Sequence, residues 1–313
     1  MNTTAVAFAV LALALAGPAP ALLARARWPF RAPRAAMVLW QAIALAAVLS
    51  AFGSGLAIAS QLLVPGPDGR PTTSPTKEID ALGFTLWLTY VVVFLITLFI
   101  GARLMVSVLR VGVRTRRRRA RHRRLVDLLD RSDRSKTAAD IRVLDAAEPI
   151  AYCLPGIRRR VVLSEGTFAS LSDSEIAAVL SHERSHLRAR HDLVLEAFTA
   201  VNEAFPRFVR SGSALGSVTL LVELLADDSA VKVAGRRPLA RALVACAQSA
   251  APSGALAAGG ATTLIRVQRL SGPGADLRID IAAYVAAATI LVVPTIAVAV
   301  PWLVELNRLF HGL

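Results

Sequence analysis

The sequence predicts a polytopic α-helical membrane protein with four transmembrane helices and one α+β domain between the third and the fourth. Three observations predict this fold class. Four apolar runs are long enough to cross a bilayer. The chain is 55% hydrophobic with a mean hydropathy of +0.53, yet its formal net charge is +14, a combination typical of apolar spans flanked by basic residues. The region between the third and fourth runs carries short strand and helix patterns instead.

The apolar runs divide the chain into four parts. The predicted spans are Thr3–Leu23, Met37–Leu63, Leu82–Leu109 and Ile281–Leu306. We therefore expect a three-helix transmembrane region over 1–109, a basic juxtamembrane segment over 110–124, a folded domain over 125–278, and a fourth span with a short tail over 279–313. The two cysteines, Cys153 and Cys246, are too few for a disulfide framework and fit a reducing compartment.

Arginine-rich segments follow the first and third spans and predict the orientation. The segments are Arg25–Arg34 and Arg110–Arg124, and the second contains no acidic residue. By the positive-inside rule both face the cytoplasm, which places the folded domain there and both termini outside the plasma membrane. The second segment could bind either nucleic acid or anionic lipid. Its position directly after a span favours the lipid bilayer, so no direct nucleic-acid partner is expected.

The domain between the third and fourth spans shows three short strand patterns and then helical ones. The predicted strands are Ile141–Leu144, Ile150–Cys153 and Arg160–Leu163. Ser172 and Glu175 form a capping-box pattern that predicts the start of the next helix. Further helices are predicted over Asp192–Phe205, Ser217–Val233 and Pro238–Ala250, and a loop rich in Gly, Ala and Pro over Ala251–Ala261.

The helix that follows the capping box carries the pattern His182-Glu183-Arg184-Ser185-His186. Residues four apart on a helix project from the same face, so both imidazoles can bind one zinc ion. Glu183 then lies beside the open coordination position, where a general base is needed. The pattern predicts a zinc peptidase with a zincin-like domain.

A third protein ligand must come from further along the chain. The class that uses a third histidine expects it ten residues after the first, where this chain has Asp192, so that class is disfavoured. Glu196, Glu203 and Glu223 remain as candidates. Glu223 is favoured because Asp227 follows it on the same helical face, where it can accept the spare N–H of a ligating histidine.

The chain resembles a known family in four segments. They are Glu148–Tyr152, Val161–Ser164, His182–Asp192 and Glu223–Asp227, and they are similar to those of the BlaR/MecR-type membrane metallopeptidases. The HtpX-type membrane peptidases share the zinc motifs. Three spans, a cytoplasmic zinc domain and a fourth span are the BlaR/MecR layout. The antibiotic sensors of that family carry a penicillin-binding domain after the last span, whereas this chain stops at Leu313, so direct β-lactam sensing is not expected.

The resemblance implies roles for individual residues. It implies one zinc ion, held by His182, His186 and Glu223, with Glu183 as the base and Asp227 orienting a histidine. It also implies that Ile150, Ala151, Tyr152 and Cys153 form an edge strand along which a protein substrate lies extended.

Three functions compete at this point. The resemblance favours a membrane zinc endopeptidase that relays a signal by cutting a cytoplasmic regulator, such as a winged-helix repressor. The first alternative is a quality-control protease for damaged membrane proteins. The second is a receptor without proteolytic activity whose zinc site only stabilises the fold, and the presence of Glu183 argues against it. Assembly into homo-oligomers is left open by the sequence.

Overall fold

The computed structural model describes residues 3–64, 74–131, 138–156, 159–205, 212–248, 256–272 and 276–311. Within these ranges the chain forms twelve α-helices and three β-strands. The helices are α1 (Thr3–Ala16), α2 (Pro18–Arg25), α3 (Pro33–Ala59), α4 (Pro75–Leu82), α5 (Phe84–Leu129), α6 (Glu165–Ser170), α7 (Asp173–Ala189), α8 (His191–Ala204), α9 (Gly212–Ala234), α10 (Arg236–Gln248), α11 (Leu256–Ser271) and α12 (Leu277–His311). The strands are β1 (Ile141–Leu144), β2 (Ala151–Leu154) and β3 (Arg160–Ser164).

Four helical stretches of the described chain are long and apolar enough to cross a membrane, the number predicted from the sequence. They are Ala5–Arg25, Pro33–Leu62, Phe84–Leu129 and Leu277–Ala297. The first is divided at Gly17 into α1 and α2, because Pro18 cannot donate the backbone hydrogen bond that would continue α1. These helices indicate a membrane protein, while the side of the membrane that each loop faces stays a prediction.

The third candidate span continues without a break through the arginine-rich segment. α5 is 46 residues long and ends at Leu129. Arginine is a good helix former and no proline interrupts the run, so the helix extends beyond its apolar part. Its far end packs on the sheet, where Val126 forms a small core with Leu154 and Val162. One rigid element therefore joins the membrane region to the strands beside the candidate site.

The three strands form one sheet in the order β1-β3-β2. β1 is parallel to β3, and β2 is antiparallel to it. β2 therefore lies at an edge of the sheet. The strand begins one residue later than predicted, at Ala151, and Ile150 precedes it. Val161 and Leu163 of the central strand are fully buried against α7, together with Val179 and Leu187.

The helix that carries Glu223 packs directly on the membrane helices. Leu221 and Leu224 of α9 share a core with Trp40 of α3, and all three side chains are at most 1% exposed. Burying side chains of this size contributes roughly 1.5–3 kcal/mol each. The region that carries Glu223 is therefore not a separate body, since the candidate spans form part of its core.

Two regions of the domain differ from the sequence prediction. The loop predicted over Ala251–Ala261 is wrong in its second half, because α11 begins at Leu256; residues 251–255 lie outside the described residues. Alanine and leucine favour helix strongly enough there to outweigh two glycines. α9 begins earlier than predicted, and it ends as predicted at Gly235, whose φ of 86° suits a glycine after a helix.

Candidate active site

Two imidazoles project side by side from α7. The helix begins with the predicted capping box, in which the Glu175 carboxylate accepts a hydrogen bond from the backbone N–H of Ser172. One turn separates His182 from His186, and their Nε2 atoms lie 3.1 Å apart. The buried face of α7 thus presents two nitrogen ligands to the same point.

Glu223 completes a three-residue group with these histidines. Its carboxylate oxygens lie 3.4 Å from His182 Nε2 and 3.6 Å from His186 Nε2. Ligands around a tetrahedral zinc ion, each roughly 2.0–2.1 Å from the metal, are separated by roughly 3.3 Å. The three side chains therefore fit a zinc ion, and they are the one His/Cys/Asp/Glu group of this kind among the described residues.

Asp227 lies behind the first histidine. Its Oδ1 atom is 3.0 Å from His182 Nδ1, and the residue is 1% exposed. A histidine that binds metal through Nε2 carries its proton on Nδ1, so Asp227 is placed to accept that N–H and to fix the ring. The structure thus brings together four of the predicted residues: His182, His186, Glu223 and Asp227.

His191 lies behind the second histidine, which the sequence did not predict. Its Nδ1 atom is 3.1 Å from His186 Nδ1. The contact is possible because Arg190, with φ of 54°, ends α7 in the left-handed region and α8 begins at the next residue. His191, one residue out of register for a third ligand, is instead placed to orient the second histidine.

Arg266 of α11 reaches into the same cluster, and sequence reasoning missed it. Its Nε and Nη2 atoms lie 2.8 and 2.6 Å from the two oxygens of Asp227, and its Nη1 atom is 3.0 Å from Glu223 Oε2. A bidentate ion pair such as that of Arg266 with Asp227 is among the strongest charge-assisted hydrogen-bonded contacts. The neighbouring carboxylate, Asp228, makes a similar pair with Arg269.

The cluster shifts the proton affinities of its members. Burial lowers the pKa of His182, but the hydrogen bonds that its ring donates to Asp227 and Glu223 outweigh burial and raise the pKa to about 9. Burial and the charge of His182 lower the pKa of His186 to about 4. Burial alone would raise the pKa of Glu223 and of Asp227, yet the contacts with His182 and Arg266 lower both to about 2.

Glu183 faces a cleft that the edge strand borders. The cleft has a volume of about 580 Å³, and its lining includes Glu183, Tyr152 and Cys153. Burial raises the pKa of Glu183, which strengthens it as a base. The Cys153 thiol hydrogen-bonds this carboxylate, and burial raises the thiol pKa, so the sulfur keeps its proton. Ala151 lies in the same strand and Ile150 just before it; their contact with substrate stays a prediction.

The two other glutamate candidates are engaged elsewhere. Glu196 lies 2.6 Å from Arg119 Nη1, and Glu203 pairs with Arg114. Both arginines belong to α5. These carboxylates therefore fasten α8 to the long helix, and neither joins the group around the histidines.

Comparison with known proteins agrees with this geometry. The model of peptidase family M48 matches residues 115–273, which is just over half of the chain. No curated protein and no solved structure matches the chain. The matched segment contains α7, the edge strand, Glu223 and Arg266, and members of the family depend in general on zinc. The chain therefore belongs to peptidase family M48 and is a metallopeptidase.

Proposed function

We propose that the protein is a membrane-embedded zinc endopeptidase. The observation that carries this proposal is the convergence of His182, His186 and Glu223 at separations that suit one zinc ion, beside Glu183 in an open cleft. A site that only stabilised the fold would need a fourth protein ligand and no base. The open cleft and the Glu183 carboxylate, which does not belong to the metal-binding group, favour catalysis.

Different side chains of the site carry out different steps of peptide hydrolysis. When bound, zinc supplies Lewis-acid polarisation of the scissile carbonyl and acidifies the attacking water. Glu183 accepts a proton from that water and then donates it to the leaving amine, and its raised pKa suits both transfers. Asp227 and His191 hold the two imidazoles in place. The substrate lies extended along β2, whose outer edge can pair with a further strand.

One pair of variants tests the assignment. Glu183→Ala should keep about one zinc ion per chain and lose proteolysis, because the residue is a base and not a ligand. His182→Ala should lose both. Glu203→Ala, a carboxylate outside the zinc group, serves as the matched control and should keep both. Loss of metal in Glu183→Ala, or unchanged cleavage, would overturn the assignment.

We further propose a signalling role, in which the peptidase cuts a cytoplasmic regulator such as a winged-helix repressor. Support comes from the resemblance to BlaR/MecR-type proteins and from one contact. Arg269 binds Asp228 with two hydrogen bonds and also donates to the backbone oxygen of Phe30, in the turn between the first two spans. Asp228 is adjacent to Asp227, so Arg269 and Asp228 connect that turn to the part of α9 that carries Asp227.

Proteomic comparison separates signalling from quality control. Cells with the wild-type protein and cells with Glu183→Ala should differ in one or a few intact regulators, and Arg269→Gln should weaken the response without removing zinc. A broad accumulation of damaged membrane proteins in Glu183→Ala cells would favour the quality-control role instead. The cytoplasmic position of the domain belongs to this proposal as well.

A further inference from the structure

The arginines of α5 do not surround the helix evenly. Five of them lie on one face, at spacings of four, three, one and three residues, and line a groove of about 1120 Å³. We call this the basic groove; the five arginines are Arg110, Arg114, Arg117, Arg118 and Arg121, and Arg119 lines the groove as well. Residues at such spacings share one side of a helix, so the groove follows from the sequence pattern once α5 is known to be continuous.

The basic groove opens into the active-site cleft. Arg114, Arg118 and Leu154 line both cavities. Leu154 is the last residue of the edge strand. A peptide that lies extended along this strand and continues past Leu154 therefore enters the groove, whose lining includes Arg118, shared with the cleft, and Arg121.

Most of the positive charge in the groove is unmatched. Arg114 pairs with Glu203, and the neighbouring Arg119 pairs with Asp192 and Glu196. No carboxylate of the described residues pairs with Arg110, Arg117, Arg118 or Arg121. An excess of one sign along a cleft attracts a ligand of the opposite sign and raises its local concentration.

We infer that the basic groove selects substrates with an acidic segment on the side of the scissile bond that passes Leu154. This inference rests on the proposed peptidase function and adds a substrate class to it. Arg118 and Arg121 are then specificity-determining residues, since they contact the substrate beyond the reacting atoms. Anionic lipid offers the other source of negative charge, but the groove continues into the cleft beside the catalytic residues, which favours the peptide.

A binding experiment tests the inference without cleavage. Full-length Glu183→Ala protein in phosphatidylcholine nanodiscs is titrated into fluorescent peptides that share an apolar centre. One acidic peptide has a run of glutamates before the centre, and the other has the run after it. Each has a neutral counterpart with glutamines in place of the glutamates. One of the two acidic peptides should bind about threefold to tenfold more tightly than its neutral counterpart. The preference should shrink as salt is added.

Two double variants locate the effect. Arg118→Gln with Arg121→Gln should remove the preference for acid, whereas Arg116→Gln with Arg124→Gln, two exposed arginines of α5 outside the groove, should keep it. Equal loss in both pairs would overturn the inference in favour of diffuse surface charge. Equal binding of acidic and neutral peptides would also overturn it.

Two more measurements distinguish peptide binding from lipid binding in the groove, and the groove inference from the peptidase assignment. If phosphatidylglycerol in the nanodiscs abolishes the preference, lipid fills the groove and the inference is wrong. Cleavage of the same peptides by the wild-type protein reports on the proposed function independently. Absence of cleavage with retained acidic preference would count against the peptidase assignment alone, and cleavage without preference would count against the groove alone.

Discussion

Arg266 and His182 share one carboxylate, that of Asp227. The guanidinium lies 2.6 Å from Oδ1 and 2.8 Å from Oδ2, while His182 Nδ1 lies 3.0 Å from Oδ1. Because Asp227 is 1% exposed, its charge needs both partners to remain buried. The arginine thus holds the carboxylate that is placed to orient His182, and α11 becomes part of the candidate zinc site.

The first prediction follows from that arrangement. Asp227→Asn keeps the shape of the side chain but weakens the acceptor for His182, so zinc affinity or turnover should fall about 10- to 100-fold. Arg266→Gln should reduce them similarly, because it leaves Asp227 buried without its cation. Zinc content by atomic absorption and peptide turnover check the change. Full activity in both variants would contradict the role of Asp227.

The second prediction concerns the third ligand. Glu223→Gln should lose most bound zinc and all activity, because a neutral amide is a poor replacement for a charged ligand. Glu196→Gln and Glu203→Gln are matched controls that should retain zinc, since their partners are Arg119 and Arg114. The ligand set is wrong if Glu203→Gln loses zinc while Glu223→Gln retains it.

How far sequence reasoning reached depends on whether a feature is local. The two histidines lie four residues apart on one helix, so spacing alone places them on one face. The capping box lies in the same helix and predicts where it begins. Glu223 was harder, since it is 37 residues beyond His186; the carboxylate four residues later supplied the signal. Glu196, the candidate nearest to the histidines in sequence, lies in α8, which begins directly after Arg190, yet its carboxylate pairs with Arg119 instead.

Arg266 gave almost no signal in the sequence. It is one of 36 lysines and arginines, and it follows a Gly-rich stretch interpreted as a loop. The spacing of Arg266 and Arg269 on one helical face, opposite the adjacent Asp227 and Asp228, was the available hint. Its meaning requires that α11 pack against α9, which is a long-range fact that periodicity does not encode.

The third prediction is a dependence of zinc affinity on pH. A ligating imidazole must be neutral, and Asp227 and Glu223 raise the pKa of His182 to about 9. Zinc therefore displaces one proton below that pH, and its association constant should rise about tenfold per pH unit between roughly pH 6 and pH 8.5. His186, with a pKa lowered to about 4, adds nothing in this range.

Competition with a chelator at several pH values measures that slope. Asp227→Asn serves as the control, because without the carboxylate the pKa of His182 falls and the slope should flatten near neutral pH. An affinity for zinc that does not change between these pH values would show that His182 is already neutral in the metal-free protein.

The last prediction concerns topology, which decides what the peptidase can cut. Arginine-rich segments follow the first and third spans, and moving several such charges across a bilayer is costly, so both segments should remain in the cytoplasm. Paired reporters, one active only outside and one only inside, are fused at Gly69, Ser132 and Leu313, all of which lie outside the described residues. Gly69 and Leu313 should report an external position and Ser132 a cytoplasmic one. Because the two reporters respond oppositely, a misfolded fusion is inactive with both and is recognised as such. The reverse pattern would place the catalytic cleft outside the cell, and a cytoplasmic repressor could then no longer be its substrate.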